Sequence, residues 1–78
     1  MAAAYNRGVT SPIRITLNGA PRELPAAVTF GELLDVLDLA GKRLAVERNG
    51  EIVPRSRFAD ERLAEGDRIE VVVAVGGG

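Results

Sequence analysis

Residues 28–39 read VTFGELLDVLDL, and this stretch decides what kind of fold the rest of the chain can build. Thr29 precedes the apolar series and Glu32 follows three positions later. That is the spacing of a capping box, in which hydroxyl and carboxylate each satisfy a free backbone N–H at a helix start. Val28 and Leu33 stand at the two positions of a hydrophobic staple. Phe30, Leu33, Leu34 and Leu37 follow the i, i+3, i+4, i+7 spacing that lays one apolar stripe along a helix. Gly41, just past the last periodic residue, suits a C-terminal cap. The pattern predicts one helix over residues 30–39.

Strand patterns flank this helix on both sides. Before it, Ile13, Ile15 and Leu17 alternate with Arg14 and Thr16, the period of a half-buried strand. Asn18-Gly19 supplies the positive φ values of a type I′ hairpin turn. The short return strand ends at Leu24, and Pro21 and Pro25 mark it as an edge or irregular strand. After the helix, Leu44 and Val46 alternate with Ala45 and Glu47, Asn49-Gly50 turns the chain, and Ile52 and Val53 bring it back. Residues 54–64 connect, with a helical turn or two, and Phe58 and Leu63 are placed to plug the core. A turn at residues 65–67 leads into the last strand, RIEVVVAV, residues 68–75.

One helix among such strands defines an α+β domain, with a mixed sheet of four to five strands packed across one main helix. That is the β-grasp arrangement, in which the first and last strands run parallel at the centre of the sheet. Ile69, Val71 and Val73 then face the helix. Val72 and Ala74 form an apolar stripe on the uncovered face, a candidate docking surface.

Composition narrows the function classes. A chain of 78 residues, 46 % apolar but with two Phe, one Tyr and no Trp, builds one modest core and no deep substrate cavity. Ten basic and eleven acidic residues give a net charge of −1, without the basic excess of a nucleic-acid binder. No run approaches the ~20 apolar residues of a membrane span. The opening MAAAYNRGVTSP lacks the apolar segment of a secretory signal, so a cytoplasmic location is expected. Residues 1–12 read as a flexible arm, 13–75 as the domain and 76–78 as a flexible glycine tail.

Neither Cys nor His occurs. Thiolate metal sites, Cys nucleophiles and His general bases are thereby excluded. Ser11 and Ser56 have no imidazole to activate them, and the sole lysine, Lys42, stands at no suggestive spacing. No catalytic residue and no metal ligand is assigned. Asp60, Glu61, Glu65 and Asp67 match no calcium loop and read as solvated carboxylates. Arg48, Arg55 and Arg57 read as solvated surface in preference to a basic rim for an acidic partner.

The three glycines that follow the last strand have a chemistry of their own. Without Cβ atoms, such an end can thread a tunnel that any other residue would block. Extended, it reaches ~10 Å beyond the folded body. The one unusual group there is the Gly78 carboxylate, which can attack the α-phosphorus of ATP to give an acyl adenylate open to sulfur or nitrogen nucleophiles. A chain without catalytic side chains but with such a carboxylate suits the role of substrate for a partner enzyme.

AVERNGEIVPRS (residues 45–56), LAEGDRIEVVVAVGGG (63–78) and LNG after the first strand together resemble the ThiS family, sulfur carriers of thiamine biosynthesis. The resemblance covers about residues 13–78. It implies a ubiquitin-like β-grasp fold and a defined sulfur path. A ThiF-like, E1-like adenylating enzyme would activate Gly78 with Mg-ATP, the chain itself binding no cofactor. A cysteine-derived persulfide would convert it to a thiocarboxylate, and a ThiG-like thiazole synthase would take up the sulfur. The resemblance places Gly77 and Gly78 inside both partners, with Gly76, where the family varies, entering beside them. Val72 and Ala74 would dock the partner. The dozen residues before the first strand depart from the family pattern.

Three other readings remain in view. The small subunit of molybdopterin synthase shares the tail chemistry but tends to carry proline before its glycines, where this chain has Val73, Ala74 and Val75. A protein modifier would join Gly78 to a lysine. An RNA-contacting β-grasp module needs a basic, aromatic face that three aromatic residues scarcely supply.

Overall fold

A computed structural model describes residues 11–74. The readings made on residues 1–10, and on Val75, Gly76, Gly77 and Gly78, lie outside them. The order is β1 Ile13–Leu17, β2 Ala20–Leu24, α1 Phe30–Val36, β3 Leu44–Arg48, β4 Glu51–Ile52, a 3-10 turn Arg55–Arg57, and β5 Arg68–Val73.

Both hairpins turn on Asn-Gly. Asn18 and Gly19 take φ of 49° and 85°, and Asn49 and Gly50 take 51° and 90°, the left-handed pair that matches strand twist. The strands form one five-stranded sheet in the order β2-β1-β5-β3-β4. β1 and β5 are parallel, and the other pairs are antiparallel. The mixed sheet, the one α-helix among the described residues and the central last strand are those expected of a β-grasp. β2, with Pro21, occupies one edge, where a missing N–H costs no ladder bond.

The helix packs on one face of this sheet. Phe30, Leu33 and Leu34 of α1 are buried with Ile15 of β1, Val46 of β3 and Ile69 and Val71 of β5. Leu63 is 1 % exposed and closes the core from the connection, while Phe58 packs at its margin and stacks on Phe30 at 6.4 Å.

The helix start follows the sequence reading. Glu32 N–H donates to Thr29 Oγ1 at 3.1 Å, and Thr29 N–H donates to Glu32 Oε1 at 2.8 Å. The helix end is earlier than the periodicity predicts, at Val36 rather than Leu39. Asp38 adopts φ of 61°, and the Asp38 and Leu39 N–H groups turn back to Asp35 and Leu34 carbonyls at 3.0 and 2.8 Å. That is a Schellman closure with aspartate in the glycine position, and it folds Leu39 back against the core. Gly41 does take a positive φ, 83°, but one turn later, inside a turn closed by Lys42 N–H on the Leu39 carbonyl.

Candidate functional site: the last strand and its outer face

β5 carries the chain toward the tail, and its neighbours hold it from both sides. From Ile69 onward it pairs with β3, from Arg48↔Ile69 to Leu44↔Val73. Beyond that, Ala74 N–H donates to the Arg43 carbonyl at 2.9 Å, the last ladder bond before residue 75. On the other side β1 pairs with only Arg68 and Ile69 before it turns away. The Asn18 side chain then takes over the role of a strand: Oδ1 accepts from Val71 N–H at 2.8 Å, and Nδ2 donates to the Val71 carbonyl at 3.3 Å. One turn residue thus serves the hairpin with its backbone and β5 with its amide.

The sheet face away from the helix holds the sequence-predicted docking residues. Val72 is 63 % exposed, and Ala74 is exposed just beyond the strand end. Ala45 of β3 lies opposite Val72. The next row across the sheet joins Ile52, Glu47 and Glu70. Ile52, also 63 % exposed, extends the apolar surface that Val72 begins. Sequence reading missed it, although the burial of its neighbour Val53 and the period of 2 require Ile52 to point outward. Between these residues Glu47, Gly50, Arg68, Glu70 and Val72 line an open groove of about 350 Å³. The surface is therefore apolar at its two ends and charged between them, with Glu47 and Glu70 beside Arg68.

Two side chains read as solvated prove otherwise. Asp67 is buried, 7 % exposed. Its carboxylate accepts from Arg48 Nε and Nη2 at 3.0 and 2.9 Å, from Asn49 Nδ2 at 3.2 Å and from Ala64 N–H at 2.9 Å. Arg48 also bonds Glu61 at 3.2 Å and the Arg62 carbonyl, and its guanidinium lies 5.3 Å from the centre of the Phe30 ring. Asp67 and Glu61 are thus spent on an internal clamp, while Glu65 accepts from Arg14 N–H at 2.9 Å. Of the other arginines, Arg55 reaches the Lys42 carbonyl and Arg57 pairs with Glu61 on the surface.

The helix N-terminus offers no anion site. Phe30 N–H donates to the Glu61 carbonyl, Gly31 N–H to the Phe58 carbonyl and Leu33 N–H to the Thr29 carbonyl. With Glu32 N–H on the Thr29 hydroxyl, the donors that cradle phosphate elsewhere are all engaged. Among the described residues no three His, Cys, Asp or Glu side chains are grouped to hold a metal ion, and no helix is long and apolar enough to cross a membrane.

The arrangement defines a class: a β-grasp domain whose central last strand runs, with no covering element on its outer face among the described residues, toward the glycines at residues 76–78. Comparison with known proteins specifies it. The ThiS family model matches residues 15–78, and the chain belongs to the ThiS family. The crystal structure of the thiamine biosynthesis protein ThiS of Geobacter metallireducens superposes with a TM-score of 0.71 at 33 % identity, over 85 % of this chain and all of that one. The sulfur carrier protein ThiS of Bacillus subtilis is 42 % identical over 50 residues, 64 % of this chain and 76 % of that protein. A thiazole synthase of Paramagnetospirillum magneticum is 39 % identical over 66 residues, 85 % of this chain. This chain spans 20 % of the length of that synthase, and the same share of a second one, from Magnetococcus marinus.

Proposed function

We propose that this chain is a sulfur carrier of thiamine biosynthesis that works in the cytoplasm as a co-substrate and not as an enzyme. The observation that carries the reading is the family match, which extends from residue 15 through the β-grasp domain to Gly78. A side-chain inventory without Cys or His agrees with it, because the reacting group is then the main-chain carboxylate.

In this reading the Gly78 carboxylate attacks the α-phosphorus of ATP in a ThiF-like adenylating enzyme that supplies Mg-ATP, and pyrophosphate leaves. The terminal sulfur of a cysteine-derived persulfide then attacks the acyl carbon and displaces AMP. A thiol cleaves the resulting acyl disulfide to leave the thiocarboxylate. A ThiG-like thiazole synthase receives the sulfur, a role that accords with the synthases in which a counterpart of this chain makes up a fifth of the length. Gly76, Gly77 and Gly78 enter each partner because a Cβ-free chain fits a narrow tunnel. Val72 and Ala74, joined by Ile52, form the docking face.

The test is to incubate the chain with the adenylating enzyme, Mg-ATP and a sulfur source, then fragment the C-terminus by high-resolution mass spectrometry. Sulfur localised to Gly78 is the expected outcome. Fragmentation matters because oxidation of Met1 produces the same nominal mass change. An unmodified tail beside a demonstrably active enzyme overturns the reading.

A further inference from the structure

Among the described residues the hydrogen-bond ladder of β5 leaves one opening, and its position is informative. Antiparallel pairs alternate between residues that exchange ladder bonds and residues whose N–H and C=O point the other way. Asn49 N–H donates to the Arg68 carbonyl at 2.7 Å and Ala74 N–H to the Arg43 carbonyl at 2.9 Å. The even-numbered residues of β5 therefore face β3, and the odd-numbered ones face β1. On that side the Asp67 carbonyl accepts from Thr16 N–H at 2.9 Å and the Ile69 carbonyl from Asn18 N–H at 2.8 Å. Val71 is completed by the Asn18 carboxamide. Val73 is next, and β1 has already turned away at Leu17. Among the described residues nothing pairs with the Val73 N–H or C=O on this side.

We propose that Val73 is the anchor of a β-augmentation site, at which an extended segment of the thiazole synthase adds to the β1 side of β5 beside the emerging tail. The proposal rests on the functional reading above and names how that partner grips the strand. A strand edge with free N–H and C=O groups recruits extended backbone, and main-chain bonds supply affinity where side chains are sparse. The Asn18 amide marks the inner limit of the site, since it fills the preceding position in the same geometry. The ladder on the β3 side keeps β5 straight as far as Ala74, so the added segment would meet a preformed edge.

The chain's own residues 1–10 are the competing occupant. They join β1 at its far end, and Ile13 and Val73 are separated by about 26 Å along the sheet at ~3.3 Å per residue. Ten extended residues span about 33 Å, so most of the arm would go into spanning the sheet and little into pairing. A synthase segment meets no such limit.

The experiment follows amide hydrogen exchange by NMR in the full ¹⁵N-labelled chain, alone and with purified thiazole synthase from the same source. The expected result is rapid exchange of the Val73 N–H in the free chain and at least tenfold slowing in the complex. Val73→Pro removes this donor and no β3 ladder bond, and it should weaken binding by about 3- to 10-fold, the worth of one backbone hydrogen bond. Val73→Ala, which keeps the N–H, should bind more tightly than Val73→Pro. A complex in which Val73 exchange is unchanged overturns the proposal, as does deletion of residues 1–10 that accelerates Val73 exchange in the free chain. Absence of any complex with the unaltered chain overturns both the partner assignment and the proposal. Sulfur loading of Gly78 does not depend on Val73 pairing with the synthase, so the carrier reading and the edge proposal can fail separately.

Discussion

Arg48 and Asp67, 19 positions apart, are joined by two donors on one carboxylate oxygen: Nε and Nη2 of the guanidinium stand 3.0 and 2.9 Å from Asp67 Oδ2. The pair binds the end of β3 to the residue just before β5. Through Glu61 and the face of Phe30 it also reaches the connection and the helix start. Without the Asp67 carboxylate Arg48 keeps Glu61 and the Arg62 carbonyl, but Arg48 Nε, Asn49 Nδ2 and Ala64 N–H lose their acceptor, and each donor left unsatisfied costs stability. Asp67→Ala should destabilise the domain by about 3 kcal/mol. In a chain of this size that is a fall of about 12–24 °C in thermal midpoint. Arg48→Lys should lose less, because a charge remains but the two-donor geometry does not. Urea unfolding of both variants provides the check, and a loss at Asp67 no larger than at an exposed residue would remove the clamp.

The capping box offers a more local test. Thr29→Ala should cost about 1 kcal/mol. Its backbone carbonyl still accepts from Leu33 N–H, but Glu32 N–H loses its acceptor. Because Thr29 and Glu32 serve each other's N–H groups, the double variant should cost less than the sum of the single ones. Strict additivity in the thermal midpoints would mean that the two bonds act independently of each other.

How far the sequence reading reached is visible in these same residues. Periods of 2 and 3.6, two Asn-Gly turns and one capping box specify the strands, both hairpins and the helix start, since each rests on local backbone chemistry, whereas the central place of β5 came from the β-grasp arrangement as a whole. The helix end escaped because an aspartate took the left-handed cap that glycine usually fills, so Gly41 drew the boundary too late. Arg48 was within reach: it continues the inward series of Leu44 and Val46, and only its charge suggested a solvated side chain. What could not be read locally was its partner, since Asp67 meets it only after β3 and β5 have paired. The outer face was half legible. Val72 follows from alternation along a central strand, whereas Ile52 needed the register that sets it beside Glu47.

Asn18 separates two roles that one substitution can divide. Asn18→Gly keeps the positive φ of the turn and removes both bonds to Val71. The expected cost is about 1–2 kcal/mol, with faster amide exchange at Val71 and little change at Gly19. Equal exchange at Val71 in both proteins would show that the amide does not hold β5.

The carrier reading makes a sharp demand on the tail. The described core runs from Ile13 to Val71, so deletion of Gly78 should leave the thermal midpoint within about 1 °C while abolishing thiocarboxylate formation. Gly77→Val should likewise leave stability intact and block entry into the partner, because a β-branched side chain does not fit where a Cβ is excluded. Sulfur acceptance by the shortened chain would move the reacting group elsewhere, and normal turnover of Gly77→Val would remove the narrow tunnel.

The outer face gives the last test, because its residues are exposed in the free chain and should matter only to a partner. Val72 is 63 % exposed, so Val72→Glu should change stability by no more than about 0.5 kcal/mol. It places a third carboxylate beside Glu47 and Glu70 and removes the apolar contact nearest the strand end. An interface that buries Val72 must then desolvate a charge, and affinity for the adenylating enzyme or the synthase should fall at least tenfold. Val36→Glu is the matched control: it is 57 % exposed, but on the helix side of the molecule. Calorimetric titration of both variants should find binding lost at Val72 and kept at Val36. Equal loss at the two would reflect net charge alone, and loss at Val36 only would transfer the docking surface to the helix.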